Sequence, residues 1–382
     1  MRLAPVNCVQ EGNILAKTLY DRDGRVLLNR GVVLNKGILQ KIEENQIFTI
    51  YIDDEFSTNE IEDVISPQIR TTATKSIKDT FDHFEKYNES LRENNSVKAK
   101  QLLKSRDNYV QVLNRISKNI VDEITTSKNI MLSMVDIKNL DTYTYQHSVN
   151  VAILSLVLGI ELQLNRNELY DLCMGALLHD IGMAFVPKKI VTKRGTLTAE
   201  EEAIIREHPM RGYEYLKDDI AMPAHAKVIA LQHHEKIDGT GYPRKTKGDS
   251  INKLAKIVAV ADVYDALTSD RPYKKSIPPS EAIEYIMGGA GTHFDFKIAE
   301  TFVRKVVPYP VGTLVKLSDG NFGVIEQVHP NYPLRPVVKV IKQKAVTVDM
   351  VSVDLLKETN LVIEGIQYET PNLSVQNYLK NK

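Results

Sequence analysis

Residues 172–182 read Leu-Cys-Met-Gly-Ala-Leu-Leu-His-Asp-Ile-Gly, and this stretch decides the fold class of the chain around it. Leu172 and His179 lie about two turns apart in an apolar segment, which predicts a helix that carries the histidine on its buried face. We expect Gly182 to end this helix, because glycine lets the chain turn sharply. A carboxylate such as Asp180 can bridge two cations, whereas an imidazole binds one, so the His-Asp pair indicates a metal site.

Further histidines and an aspartate lie on both sides of this pair. They are His147, His208, His233, His234 and Asp262. Imidazole and carboxylate are the usual ligands of divalent first-row metals, so the ordered series favours a metal-dependent active site. Asp262 follows an apolar helical run, where a charge is costly unless it is paired or binds metal. Asp265, one turn later, could support a ligand from behind.

Taken one at a time, several of these residues have an ordinary structural explanation. His147 shares a helical stripe with Val151 and Leu154, and such a histidine is more often a core residue than a ligand. His208 precedes Pro209 and could cap a helix or lie on the surface. The metal hypothesis therefore depends on the series as a whole.

Several motifs of the central region resemble the HD-GYP family, a branch of the HD-domain phosphohydrolases. They are 179–182 (His-Asp-Ile-Gly), 233–243 (His-His-Glu-Lys-Ile-Asp-Gly-Thr-Gly-Tyr-Pro), 262–273 (Asp-Val-Tyr-Asp-Ala-Leu-Thr-Ser-Asp-Arg-Pro-Tyr), 143–148 and 291–295. Their order, length and spacing make the resemblance specific, and it covers roughly residues 130–307.

The resemblance implies a bacterial phosphodiesterase that hydrolyses cyclic di-GMP to pGpG and/or GMP with hydroxide activated by two metals. It implies an all-helical core with two divalent ions, most commonly iron or manganese. By motif position, one ion would be held by His147, His179, Asp180 and Asp262. The second would be held by His208, His233 and His234, with Asp180 bridging the two.

The same resemblance assigns catalytic and substrate-binding residues. The catalytic residues would be His179, Asp180 and Asp265, and the substrate would be bound by Gly241, Tyr242, Arg271 and Lys274. Arg271 suits a bidentate phosphate contact and Lys274 a point-charge contact. Out of context, these two residues would be part of an exposed basic turn.

Two departures from the family pattern bear on activity. Tyr143 stands where some relatives have a glutamate that helps to bind a third metal, so we expect two metals. Met183 stands where the family usually has lysine, which removes a positive charge that would stabilise developing negative charge. One alternative is therefore a catalytically weak protein that binds cyclic di-GMP and signals. Another is an HD hydrolase of a different cyclic dinucleotide or nucleotide.

The composition limits the other classes of function. The 382 residues are 43% hydrophobic and carry no formal net charge, so no basic surplus recruits DNA or an anionic membrane. The two cysteines form no CxxC pair or disulfide scaffold. We expect a cytoplasmic protein, because the start of the chain lacks a signal-peptide profile and no apolar run is long enough for a bilayer.

The chain is predicted to be mainly α-helical with small β-containing flanks. We expect a small α+β module at 1–61, in which Asp53-Asp54 forms a solvated turn, and a helical connector at 62–129 with a break at 93–96. The connector could also form a dimerising coiled coil, which would give a homodimer. The HD-GYP domain would occupy 130–307, and a β-rich tail with a hairpin at 318–321 would occupy 308–382.

Overall fold

The computed structural model describes residues 1–20, 25–45, 47, 49–54, 64–126, 143–193, 195–269, 276–343 and 348–369. The N-terminal elements are β1 (Arg2–Pro5), β2 (Ile14–Leu15), β3 (Leu19–Tyr20), β4 (Val26–Leu28), α1 (Lys36–Glu44) and β5 (Thr49–Asp53). Strands β1, β5 and β2 form an antiparallel sheet in that order, and β3 pairs with β4. The predicted α+β character of this region is confirmed.

The acidic pair that follows β5 is not the solvated turn that the sequence predicts. Asp54 accepts a hydrogen bond of 2.7 Å from Nε of Arg2, and both side chains are buried. The amino group of Met1 lies 3.3 Å from Asp53 Oδ1. Antiparallel pairing of β1 with β5 brings these charges together, which local sequence does not reveal.

Two long helices follow, α2 (Pro67–Arg92) and α3 (Ser96–Thr126), with the break where the sequence predicts it. Their apolar faces are buried in the same core as the helices of the central region. The buried set is Ile77, Phe81, Phe84, Val110, Leu113, Ile116, Ile120 and Ile124. Leu91, in the last turn of α2, is 49% exposed.

Nine further helices complete the helical region. They are α4 (Tyr143–Glu161), α5 (Arg166–Leu178), α6 (Lys188–Val191), α7 (Ala199–Arg206), α8 (His208–Leu216), α9 (Ala224–Gln232), α10 (Lys253–Leu267), α11 (Pro279–Gly288) and α12 (Phe296–Lys305). Asn165 and Glu168 form a capping box that starts α5. Helix α5 then packs against α9 so closely that a Cβ on Gly175 would lie 2.3 Å from Ile229 Cδ1. This contact fixes the ends of both helices beside each other.

The prediction that Gly182 ends α5 is wrong in detail. The α-helix ends at Leu178, and a 3₁₀ turn spans Ile181–Phe185. Gly182 is needed for a close approach, because a Cβ there would lie 1.9 Å from the carbonyl oxygen of His208. The missing side chain lets the start of α8 lie directly against the turn after His179 and Asp180.

The C-terminal region is a five-stranded antiparallel sheet, as expected from its β-rich sequence. Its strands are β6 (Leu314–Leu317), β7 (Phe322–His329), β8 (Tyr332–Gln343), β9 (Val348–Asp354) and β10 (Ile363–Ile366), in the order β10-β6-β7-β8-β9. Gly320 adopts a φ of 83° in the predicted hairpin turn. Strands β9 and β10 were not predicted. Within the described ranges, no helix has the length and apolar character needed to cross a bilayer.

Candidate metal centre

Five helical elements bring the predicted ligands to one place. Helix α4 carries His147, the end of α5 presents His179 and Asp180, and the first turn of α8 carries His208. Helix α9 ends just before His233 and His234, and α10 carries Asp262. The four imidazoles of His147, His179, His208 and His233 are all buried. The seven side chains predicted to bind metal therefore converge.

The two carboxylate oxygens of Asp180 face two different pairs of imidazoles. Oδ1 lies 3.1 Å from Nε2 of His208 and 3.7 Å from Nε2 of His233. Oδ2 lies 3.4 Å from Nε2 of His179 and 3.9 Å from Nε2 of His147. A carboxylate in this position can bind one cation with each oxygen.

Asp262 closes the other side of the cluster. Its Oδ1 lies 3.0 Å from Nε2 of His147 and 3.9 Å from Nε2 of His179. Its Oδ2 lies 3.7 Å from Nδ1 of His234. Two groups of potential ligand atoms, each within 4.8 Å of one another, share Asp180: one comprises His147, His179 and Asp180, and the other Asp180, His208, His233 and His234.

The second ring nitrogen of four histidines is held by a hydrogen bond. Nδ1 lies 2.8 Å from the Ala176 carbonyl in His179, 2.8 Å from the Ile205 carbonyl in His208 and 3.1 Å from the Ala230 carbonyl in His233. In His147, Nδ1 lies 2.7 Å from Oδ2 of Asp265. Since carbonyls and carboxylates accept, Nδ1 donates in each case, and Nε2 is the ring nitrogen that faces the centre of the cluster.

The donor set fits divalent metal ions. Among the described residues, the buried Nε2 of His179 has no hydrogen-bond partner, although an unsatisfied buried nitrogen is costly. Imidazole nitrogen and carboxylate oxygen together suit manganese, iron and zinc. A cation between these groups would satisfy the orphaned nitrogen.

The cluster perturbs its own ionisation strongly. Burial lowers the pKa of His147, but hydrogen bonds to Asp262 and Asp265 outweigh burial and raise it to about 9. Burial raises the pKa of Asp180, but His179 and its other histidine neighbours outweigh this and hold it well below its usual range. Burial and the neighbouring His233 lower the pKa of His234. Metals bind ionised carboxylates and neutral imidazoles, so a cation at this site would have to displace the proton that the two carboxylates favour on His147.

Asp265 lies behind His147 rather than inside the cluster. Its Oδ1 accepts a hydrogen bond of 3.1 Å from Nδ2 of Asn150, whose Oδ1 accepts one of 2.7 Å from Nη1 of Arg70. The hydroxyl of Ser269 lies 3.3 Å from Asp265 Oδ2. Sequence reasoning missed Asn150 and Arg70. His147 and Asn150 lie three residues apart on one helix, and this spacing could have placed Asn150 beside His147. Nothing in the sequence around Arg70 indicated its contact with Asn150.

The Gly-Tyr-Pro turn lies against the second imidazole group. The ring of Tyr242 stacks on His234 with centroids 4.7 Å apart, and the guanidinium carbon of Arg206 lies 5.2 Å from the centroid of the Tyr242 ring. The Tyr242–Pro243 peptide bond is cis. A Cβ on Gly241 would lie 2.4 Å from the backbone nitrogen of Lys236, so this turn requires glycine.

Glu235 is a site residue whose role the sequence alone does not reveal. It is buried, and its two oxygens accept hydrogen bonds of 2.8 Å from the Arg244 amide and 2.9 Å from the Thr246 amide. These bonds tie the loop after the Gly-Tyr-Pro turn to the end of α9. Glu235 therefore holds Tyr242 in place from behind.

The remaining predictions for this region concern positive charge. Arg271 and Lys274 lie outside the described residues. Met183 is partly buried against the helical core, and Lys188, a nearby lysine, forms an ion pair of 2.7 Å with Glu85. Lys188 is thus engaged on α2 and does not take the place of the family lysine.

Comparisons with known proteins match both the helical and the strand-rich regions. Residues 125–298 match the family model of the HD domain, and residues 314–370 match that of a KOW domain associated with the HD domain. Residues 125–298 are thus similar to HD domains. The resemblance to the HD-domain phosphodiesterases that the sequence motifs indicate is confirmed.

Three relatives illustrate the activities for which proteins similar to this chain are named. The cyclic di-GMP phosphodiesterase PA4108 of Pseudomonas aeruginosa is 44% identical over 225 residues, which are 58% of this chain and 54% of the relative. The cyclic di-GMP phosphodiesterase PdeB of Borreliella burgdorferi is 32% identical over 59% of this chain and 60% of its own length. The 3'3'-cGAMP-specific phosphodiesterase 2 of Vibrio cholerae is 34% identical over 48% and 36%. The chain thus spans little more than half of the first relative.

Proposed function

We propose that this protein is a metal-dependent phosphodiesterase that hydrolyses cyclic di-GMP to pGpG and/or GMP. The observation that carries the proposal is the position of Asp180, whose two oxygens face separate imidazole pairs. Phosphodiester hydrolysis is a common reaction of two-metal sites. The relatives named as cyclic di-GMP phosphodiesterases support this substrate.

The proposal assigns seven ligands to two divalent ions, iron or manganese. His147, His179, Asp180 and Asp262 would hold one ion, and Asp180, His208, His233 and His234 would hold the other. When bound, such ions lower the pKa of water and stabilise negative charge on phosphate oxygens. The protein fixes the ligands beforehand by holding Nδ1 of four histidines.

Tyr242 is proposed to contact the substrate phosphate. Burial and the negative charges of Asp262 and Asp180 raise the pKa of its phenol, so Tyr242 stays neutral and can donate a hydrogen bond. Gly241 gives the turn the shape that this role needs. Arg271 and Lys274 remain proposed phosphate contacts, and Asp265 is proposed to position His147.

Methionine in place of the family lysine at Met183 is expected to change the rate of hydrolysis and not the kind of reaction. It removes one cationic group from the surroundings of the phosphate, which lowers turnover without removing a metal ligand. The relatives are named as enzymes, which favours catalysis over a binding-only role. A relative named as 3'3'-cGAMP-specific makes that cyclic dinucleotide the second candidate substrate.

The proposal also includes a cytoplasmic location and a homodimer formed through the helices of residues 62–129. The buried faces of α2 and α3 are already covered by the HD helices, so a dimer would use their outer faces. Light scattering of the purified protein tests the dimer, and cell fractionation tests the location.

Chromatography of reaction products tests the proposed function. Protein reconstituted with Mn²⁺ or Fe²⁺ should convert cyclic di-GMP to pGpG or GMP. Tight binding of cyclic di-GMP without products would favour the signalling alternative. Cleavage of 3'3'-cGAMP with inertness toward cyclic di-GMP would favour the second substrate.

A further inference from the structure

A chain of hydrogen bonds leads from helix α2 to one of the predicted metal ligands. Nη1 of Arg70 donates to Oδ1 of Asn150 at 2.7 Å, and Nδ2 of Asn150 donates to Oδ1 of Asp265 at 3.1 Å. Oδ2 of Asp265 accepts from Nδ1 of His147 at 2.7 Å. Three consecutive contacts thus join an arginine on α2 to an imidazole of the cluster.

We propose that Arg70 is a positioning residue that sets the metal affinity of the position containing His147. Arg70 lies outside the 125–298 match to the HD domain, on the helix that follows the N-terminal module. The inference rests on the proposed function, because it requires that the cluster binds metal ions. It adds a residue from another segment to the machinery of that site.

Arg70 acts by anchoring the far end of the Asn150 amide. A guanidinium only donates and a carboxylate only accepts, so Arg70 and Asp265 both require the amide oxygen to face Arg70 and the amide nitrogen to face Asp265. Without Arg70, the amide oxygen loses this donor and the side chain loses the anchor that it provides. Asn150 would then hold Asp265 less firmly in its position against His147.

Helix α2 is held against both α3 and α4, so Arg70 has a defined place. Oε1 of Glu123 on α3 accepts a hydrogen bond of 2.9 Å from the Ser66 amide at the start of α2. Further along α2, the ring of Phe81 meets that of Tyr145 edge-on with centroids 5.5 Å apart. The contacts to Tyr145 and Asn150 flank His147 on α4, so a displacement of α2 acts directly on the segment that carries this ligand.

The chain of contacts reaches only one of the two proposed metal positions. Nδ1 of His208 and of His233 is instead held by carbonyl groups of neighbouring main chain, and within the described part of the chain these bonds do not involve Asp265. The loss of Arg70 should therefore lower the metal affinity of the position that contains His147 and leave the affinity of the other position unchanged. A general loss of stability would lower both affinities.

Titration of the full chain with Mn²⁺, monitored by calorimetry, tests the proposal. Arg70→Met should weaken one of two binding constants by about three- to tenfold, below the range of about 10 to 100 for direct partners of metal-binding histidines. Arg70→Lys keeps one donor and should restore most of the affinity. Arg92→Met is the matched control, since Arg92 also joins α2 to the HD helices, through the Phe185 carbonyl at 3.3 Å.

The outcomes separate this inference from the proposed function. Wild-type protein that binds no Mn²⁺ contradicts both. Wild-type protein that binds two ions, together with unchanged affinities in Arg70→Met, overturns the role of Arg70 alone. The role of Arg70 is also overturned if Arg70→Met lowers the affinities of both metal positions equally. Equal effects of Arg70→Met and Arg92→Met overturn it as well. If Arg70→Met does not fold, Arg70→Gln takes its place and is judged by the same criteria.

Discussion

The carboxylate of Asp265 lies 2.7 Å from Nδ1 of His147, on the side of the imidazole that faces away from the cluster. This contact makes Nδ1 the protonated nitrogen and leaves Nε2 for a metal ion. The pairing of a carboxylate with a ligating imidazole explains why a second acid occurs one turn after Asp262.

Asp265→Ala should weaken metal binding without removing a ligand. Loss of the orienting carboxylate should lower the Mn²⁺ affinity by about 10 to 100-fold, and excess Mn²⁺ should restore part of the turnover. Equilibrium dialysis measures the affinity. Asp171→Ala is the control, because Asp171 contacts His225, a histidine outside the cluster, at 2.9 Å. Equal effects of the two substitutions would contradict the role of Asp265.

The double substitution His179→Ala, Asp180→Ala should abolish metal binding and activity together. It removes the Asp180 carboxylate, which faces both imidazole pairs. It also removes the imidazole of His179, which belongs to the pair formed with His147. Metal content is measured by elemental analysis, and folding by circular dichroism. A folded double variant that still hydrolyses cyclic di-GMP would discredit the assigned centre.

Met183→Lys should raise turnover of cyclic di-GMP if the absent ammonium limits the rate. A cation near the phosphate stabilises the charge that develops during hydrolysis, and such groups are typically worth about tenfold or more in kcat. Met183→Leu keeps an apolar side chain and should leave the rate close to that of wild type. If Met183→Lys retains its metals but gains no rate, the missing charge is not the limitation.

Gly182→Ala should damage the cluster through packing. The added Cβ would lie 1.9 Å from the carbonyl oxygen of His208, so the start of α8 must move away from Asp180. We expect a lower melting temperature and weaker metal binding. Gly288→Ala is the control, since a Cβ there meets nothing within 4 Å, and it should be neutral or stabilising by up to about 1 kcal/mol. Similar effects of both substitutions would contradict this explanation.

His83 should make the free energy of unfolding depend on pH. Burial lowers the pKa of His83 below its usual 6.5, while its Nε2 contacts the Leu102 carbonyl and its ring stacks on Tyr109. Below pH 6.5 the unfolded chain binds a proton that the folded protein resists, so stability falls with pH until the folded pKa is passed. The free energy of unfolding therefore falls as the pH drops through this window. Urea unfolding of wild type and His83→Phe should show the difference below pH 6.5, and parallel curves would refute it.

The sequence predicted the elements of the fold better than their long-range contacts. Helical periodicity identified α2, α3 and their break, because burial of one face repeats along the chain. Strands β9 and β10 were not predicted because apolar and polar residues alternate only weakly along them. The buried pair of Arg2 and Asp54 was taken for part of a solvated turn, because its partners are 52 residues apart.

The same reasoning explains what was missed at the cluster. The predicted ligands can be recognised from the sequence, because an ordered series of histidines and acids is unusual within apolar helices. Arg70 and Asn150 are 80 residues apart, and their contact leaves no periodic pattern in either segment. The role of Glu235 depends on the path of the loop after it, which composition does not specify.

Elemental analysis of protein purified without oxygen shows whether the cluster is a metal centre. We expect two divalent ions per chain in wild type and none in the chain with both His179 and Asp180 changed to alanine. A correctly folded, metal-supplemented wild-type sample that retains no ion would contradict it.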